Sequence, residues 1–187
     1  MIMKGFVQAN LHHLQQAAEL VEELENTFYA RSEPAFYHSS VGGHLRHCLE
    51  HYESFMAGIS EGKIDYDARM RDSQVECDTK IASERILNIT KALGKLIDMS
   101  PAMAVRVKVE CAPNDQKDEA YKEDAEIEVW QSSSVGRELQ FLASHTVHHF
   151  AMIRSICRIA GKNLNTDFGV APSTLRYHRE LSAADSP

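Results

Sequence analysis

The chain has 187 residues, 43% of them hydrophobic and 25% charged, with a formal net charge of −7 at pH 7. That length and composition fit one soluble domain with a sizeable core. The acidic balance and the lack of any Lys/Arg run argue against nucleic acid as a partner, and no apolar stretch reaches the length of a membrane span.

The opening residues Met1 to Gln8 lack the apolar segment of a signal peptide, so the expected address is the cytoplasm. From Phe6 to about Tyr29, Leu11, Leu14, Ala18, Val21, Leu24 and Phe28 recur at three- and four-residue intervals and predict a first helix. Glu19, Glu22, Glu23 and Glu25 form its outer face, and His12 and His13 are read as solvated. Pro34 and its neighbours break the pattern.

Ser39 or Ser40 then offers an N-cap for a second helix to about Gly62, with Val41, Leu45, Cys48, Tyr52, Phe55 and Ile59 as its core stripe. His44, His47 and His51 follow a three-then-four spacing and form their own stripe on one flank of that face. The polar stretch from Lys63 to Cys77 predicts a loop, pinned by Ile64, Tyr66 and Met70. Asp78 or Thr79 caps a third helix to about Met99, with Ala82, Ile86, Ile89, Leu93, Leu96 and Ile97 turned inward.

The period then changes. Val105, Val107 and Val109 alternate with Arg106 and Lys108, and Ile127 and Val129 alternate with Glu126 and Glu128. Pro113-Asn114-Asp115 lies between them. This predicts a β-hairpin with a long polar tip, packed on the helices, its outer faces paired through opposite charges.

Ser133 or Ser134 caps the last long helix, which runs to about Ala160 and stops at Gly161. Within it His145 and His149 stand one turn apart on one face, inside the apolar arc of Val135, Leu142, Met152, Ile153 and Ile156. His148 points towards the edge shared with Phe141. Beyond the helix Phe168, Val170, Leu175 and Tyr177 are expected to dock. One domain over residues 1–180 is expected, with 181–187 frayed.

Two helices that each carry histidines at helical spacing point to a metal site, because buried imidazoles need a partner that offsets their desolvation. Neutral imidazoles suit zinc, nickel, copper or iron, and a three-His site leaves an open position for a water or a thiol. Helical phase places His44 and His51 slightly closer to the core centre than His47, so the third ligand stays open between them. Glu138, two turns before His145, is the candidate base or outer acceptor. Arg137, Arg154 and Arg176 are candidate anchors for an anion, though a surface ion pair is the better reading of each. The four cysteines Cys48, Cys77, Cys111 and Cys157 are scattered, with no Cys-x-x-Cys pair, and read as free thiols. Cys48 and Cys157 fall at apolar helix phases.

His44-Leu-Arg-His47 on an early helix, followed about 100 residues later by His145-Thr-Val-His148-His149, resembles the DinB/YfiT-like superfamily of metal-binding bundles. The resemblance covers roughly residues 6 to 160. It implies an all-α four-helix bundle, here with a small β-hairpin inserted between the third and fourth long helices. It implies a divalent metal ion, zinc or nickel, on His47, His145 and His149, with His44, His51 and His148 as alternatives or supports behind them. It further implies a homodimer and a small-molecule substrate, such as a low-molecular-weight thiol. The activity expected from it is that of a metal-dependent thiol transferase or hydrolase. The alternative is a bundle that binds metal without catalysis, as a sensor or a structural site. The hairpin and the segment 168–177 are not general features of that superfamily.

Overall fold

The computed structural model describes residues 2–109 and 129–184. The chain is mostly helical, with a small three-stranded sheet. Four long helices carry it: α1 (Ile2–Glu23), α3 (Val41–Ile59), α5 (Thr79–Gly94) and α6 (Val135–Ile159). Between them lie the short helices α2 (Asn26–Tyr29) and α4 (Ser73–Cys77) and a 3-10 turn (Pro34–Phe36). Helix α3 packs on α6 and α5, and α1 packs on α5 and α6, so each long helix touches two of the others. Among the described residues no helix is long and apolar enough to cross a membrane.

Local chemistry sets the starts. The Ser40 hydroxyl accepts from the Gly43 amide at 2.9 Å, Asp72 and Asp78 cap α4 and α5, and Ser134 caps α6. The stripe Val41, Leu45, Cys48, Tyr52, Phe55 and Ile59 is buried throughout, as the spacing predicts. Helix α5 buries Ala82, Ile86, Ile89 and Leu93, and Leu96 in the turn beyond it, but Ile97 is exposed because the helix ends at Gly94.

Helix α1 starts at Ile2 and stops at Glu23, short of the expected Tyr29. Its inward stripe is Met3, Val7, Asn10, Leu14, Ala17 and Val21. His13 lies beside that stripe and is buried, not solvated; its ring meets Phe150 edge-on. Asn10 is buried too, donating to the carbonyls of Phe6 at 2.8 Å and Leu139 at 3.0 Å. It accepts from the Tyr52 hydroxyl at 2.8 Å, which in turn accepts from Thr146 at 3.2 Å. This chain of bonds fixes α1, α3 and α6 in register, since each buried polar atom left unpaired would cost about 1–3 kcal/mol.

Strands β2 (Ala104–Val109) and β3 (Val129–Ser134) form an antiparallel pair, and β1 (Lys63–Ile64) adds to β2 in parallel. The charge pairing expected of Arg106 and Lys108 involves Glu126 and Glu128, which lie outside the described residues. Arg106 faces Ser132 and Lys108 faces Trp130, while Lys108 forms an ion pair with Asp65 at 3.3 Å. Glu126, Ile127, Glu128, Cys111 and the tip at Pro113-Asn114-Asp115 lie outside the described residues. Of the loop anchors, Ile64 and Tyr66 are buried, whereas Met70 is exposed.

After α6, Gly161 turns the chain at φ 76°. Phe168 docks, stacking on Phe150 with ring centroids 4.6 Å apart. Gly169, at φ 69°, makes this possible, because a side chain there would press on the Phe150 and Ala151 backbone. Tyr177 does not dock: it stands exposed on α7 (Pro172–Ala184).

A second glycine sets a helix contact. Any Cβ at Gly42 would collide with the Glu76 carbonyl, so α3 approaches α4 more closely than alanine permits. Gly42→Ala should destabilise the fold by about 1–3 kcal/mol, lowering the unfolding midpoint by roughly 2–4 °C per kcal/mol. An unchanged midpoint in thermal unfolding would reject this.

Candidate metal centre

Helices α3 and α6 each present an i, i+4 pair of histidines to the other, and the pairs interleave. The ring of His47 lies 5.0 Å from that of His145 and 4.5 Å from that of His149, centroid to centroid. The ring of His51 lies 4.3 Å from His145, and the rings within the pairs are 4.4 Å and 4.5 Å apart. His47, His51 and His145 bring ligand nitrogens within 4.8 Å of one another, a group that could hold a metal ion. The α3 flank, one residue off the core stripe, therefore faces the second histidine helix.

Hydrogen bonds fix several of the ring protons. The His47 carbonyl can only accept, so His51 Nδ1 donates to it at 2.8 Å, leaving Nε2 of His51 with a lone pair. An imidazole anchored in this way through one nitrogen is held ready to ligate through the other. Arg69 can only donate, so its Nη1 gives a hydrogen bond to His47 Nδ1 at 2.6 Å. His44 and His149 meet through their Nδ1 atoms at 3.0 Å, one donating and one accepting. His44 thus stands behind His149, while His148 is exposed at the rim, its ring 5.3 Å from that of His149.

The donor set suits a divalent ion. Burial, the largest cause in each case, holds His47 down to about 2, His149 to about 3 and His145 to about 4, and the neighbouring histidines add to it. His44 and His51 are lowered as well, again chiefly by burial. At pH 7 these rings are neutral, the form that binds metal. His145 Nε2 and His44 Nε2 are buried with no hydrogen-bond partner among the described residues. Such orphaned nitrogens are costly unless something ligates them. The residues present fit a metal.

Aromatic rings wall one side of the cluster. Tyr66 stacks on His51 at 5.3 Å and Phe141 stacks on His145 at 5.4 Å. Beyond them opens a pocket of about 330 Å³ lined by Tyr66, Val107, Arg137, Glu138, Phe141 and residues 131–133. Glu138 is buried at its floor and accepts from the Tyr66 hydroxyl at 2.9 Å and from Ser133. It is therefore joined to His51 through Tyr66 rather than by contact with a histidine.

The remaining candidates lie apart. Arg137 leans over the Phe141 ring at 5.6 Å, beside the pocket, whereas Arg154 is half-buried and Arg176 exposed on α7. Cys48 is fully buried and its thiol is pushed up by burial, and Cys157 is pushed up to about 11 by the same cause, so neither is poised as a thiolate. Cys77 is free and exposed. Arg69 escapes sequence reading altogether. It sits in a polar, aperiodic loop where nothing in the spacing singles out one arginine.

No family model matches the chain, and no solved structure matches it. Among curated proteins the chain is similar to FK506-binding protein 5 of Rhizopus delemar, with 31% identity over 117 residues. That match covers 61% of this chain and 27% of the relative. The chain thus spans about a quarter of that protein's length. FK506 binding is part of that protein's name, and most of that protein lies outside the match.

Proposed function

We propose that this chain is a four-helix metal-binding bundle of the DinB type, in which a histidine cluster between α3 and α6 holds zinc or nickel. The observation that carries the reading is the convergence of His47, His51, His145 and His149 from two helices, with a buried, partnerless nitrogen on His145. Support for the bundle comes from the cyclic packing of α1, α5, α3 and α6.

Held by three imidazoles, a divalent ion would lower the pKa of a bound thiol or water and so supply a nucleophile near neutral pH. The chain's own residues do the rest. His145 and His149 offer neutral nitrogens, His51 is aimed by the His47 carbonyl, and His44 supports His149. Tyr66 and Phe141 shield one side from water, and Glu138 holds Tyr66 in place. The adjoining pocket has room for a small substrate. The reaction class proposed is transfer of a small thiol, or hydrolysis, at the metal.

One observation favours a second reading. His149 approaches His47 and His145 as closely as the others do, so a fourth imidazole could close the site and make it structural.

Untagged protein should bind close to one zinc or nickel ion per chain. X-ray absorption should then show a non-protein oxygen or sulfur on the ion. Metal in traces, unchanged by added zinc or nickel, would sink both readings, and four nitrogen ligands with no solvent atom would select the structural one.

A further inference from the structure

Among the described residues Arg69 is the one cation in direct contact with the histidine cluster, and its partners are poor ones. Its Nη1 donates to His47 Nδ1 at 2.6 Å and lies 3.3 Å from His51 Nδ1. The second contact is no hydrogen bond, since His51 Nδ1 already donates to the His47 carbonyl and would meet Arg69 donor to donor. Its Nε is buried with no acceptor among the described residues. Among the described residues no carboxylate lies within ion-pair distance of it.

Other arginines of this region are treated differently. Arg46 meets Glu76 at 2.8 Å, and Arg85 meets Glu53 at 2.7 Å and Asp72 at 2.6 Å. The acids near Arg69 are committed elsewhere: Glu50 accepts from the Asp72 amide, and Asp65 binds Lys108 and the amides of Asp67 and Ala68. Asp67 is exposed and makes no ion pair with Arg69. A guanidinium with five N–H donors, half-buried, therefore has one good acceptor among the described residues, an uncharged imidazole.

That acceptor is also a ligand candidate. As His47 accepts from Arg69 at Nδ1, its own proton is on Nε2. Ligation through Nδ1 would use the same lone pair. Ligation through Nε2 would move the proton to Nδ1, which then could not accept. Either way the bond to Arg69 and metal ligation by His47 are mutually exclusive.

We propose that Arg69 is the anion-binding residue of this site: ligation by His47 takes the lone pair that accepts from Arg69, and the released guanidinium receives the carboxylate of a small ligand. This rests on the metal reading above. A planar fork of donors matches a planar carboxylate in two parallel hydrogen bonds. The cluster itself contributes only neutral imidazoles, so a dication beside Arg69 leaves positive charge that an anion would neutralise. Metal and anion binding should then be mutually reinforcing, as linkage requires.

The test uses the full untagged chain, its nickel affinity measured by competition against a chromophoric chelator, with and without saturating formate at constant ionic strength. In the unsubstituted protein formate should tighten nickel binding by about 10-fold, within the usual range of coupling between sites. Arg69→Met should bind nickel alone about 10-fold more tightly, because a competing donor and a repelling cation are gone, and formate should then change it less than about 2-fold. Arg69 lies in a half-buried loop, so circular dichroism and the unfolding midpoint serve to show that the variant folds. Equal nickel affinity in the two proteins, or an equal formate effect, overturns the proposal. An unsubstituted protein that takes up neither nickel nor zinc overturns the metal reading itself, and this one with it.

Discussion

Replacing His145 or His47 by alanine is expected to abolish tight uptake of zinc or nickel. Both rings belong to the group whose nitrogens converge within 4.8 Å, and both belong to the ligand set implied by the DinB resemblance. Loss of an outer partner of a ligand typically costs about 10–100-fold in affinity, and loss of a ligand itself should cost more. His148→Ala should cost little, because that ring is exposed at the rim. The informative pair is His51→Ala and His149→Ala. Loss confined to His149→Ala supports the ligand set of the resemblance. Loss confined to His51→Ala supports the trio of converging nitrogens. Loss with both points to a closed centre of four imidazoles. The measurement is metal per chain after dialysis, with circular dichroism to confirm folding. Full retention of metal by His145→Ala would mean that the cluster is not the site.

The second large effect concerns pH. Chelator is expected to lower the unfolding midpoint markedly at pH 8 and hardly at all at pH 5. Unfolded, these histidines take up a proton near the ordinary value of 6.5, whereas folding holds His145 at about 4, His149 at about 3 and His47 at about 2. Between those values the unfolded chain binds more protons than the folded one, so stability rises with pH. The contribution is complete above about pH 7 and is lost as pH falls through 6 and 5 towards the folded values. Each fully shielded ring would give a slope of about 1.4 kcal/mol per pH unit. Solvent screening at the partly exposed rings reduces the sum to a few kcal/mol between about pH 7 and 5. Bound metal acts in the same window, since protons compete for the same nitrogens. A chelator effect absent at both ends would mean that no metal is held. One equally large at pH 5 would mean ligands that do not titrate as histidines do.

Much of the frame is legible in the residues alone. The stripe from Val41 to Ile59 is buried as its period requires, and Ser40, Asp78 and Ser134, each one of two candidates in the sequence, cap their helices. The change to a period of two at Val105 marks strand β2. These features are local, set by side-chain spacing and by the first turn of each helix. Where the reading departs from the structure, a distant contact is the reason. His13, for instance, is buried because Phe150 covers it.

The sequence by itself determined which stretches form the long helices, where α3, α5 and α6 start, and that histidines recur at helical spacing on two of them. Local hydrogen bonding and the 3.6-residue period suffice for that. Only the tertiary structure decided that the two histidine flanks face one another and that His51 lies as near to His145 as His47 does. It also decided that Glu138 reaches the cluster only through Tyr66, and that Arg69 rests on His47. These depend on how α3 is rotated against α6 and on where the loop after β1 crosses them. Both follow from packing summed over the whole core, which no single stretch of the chain encodes.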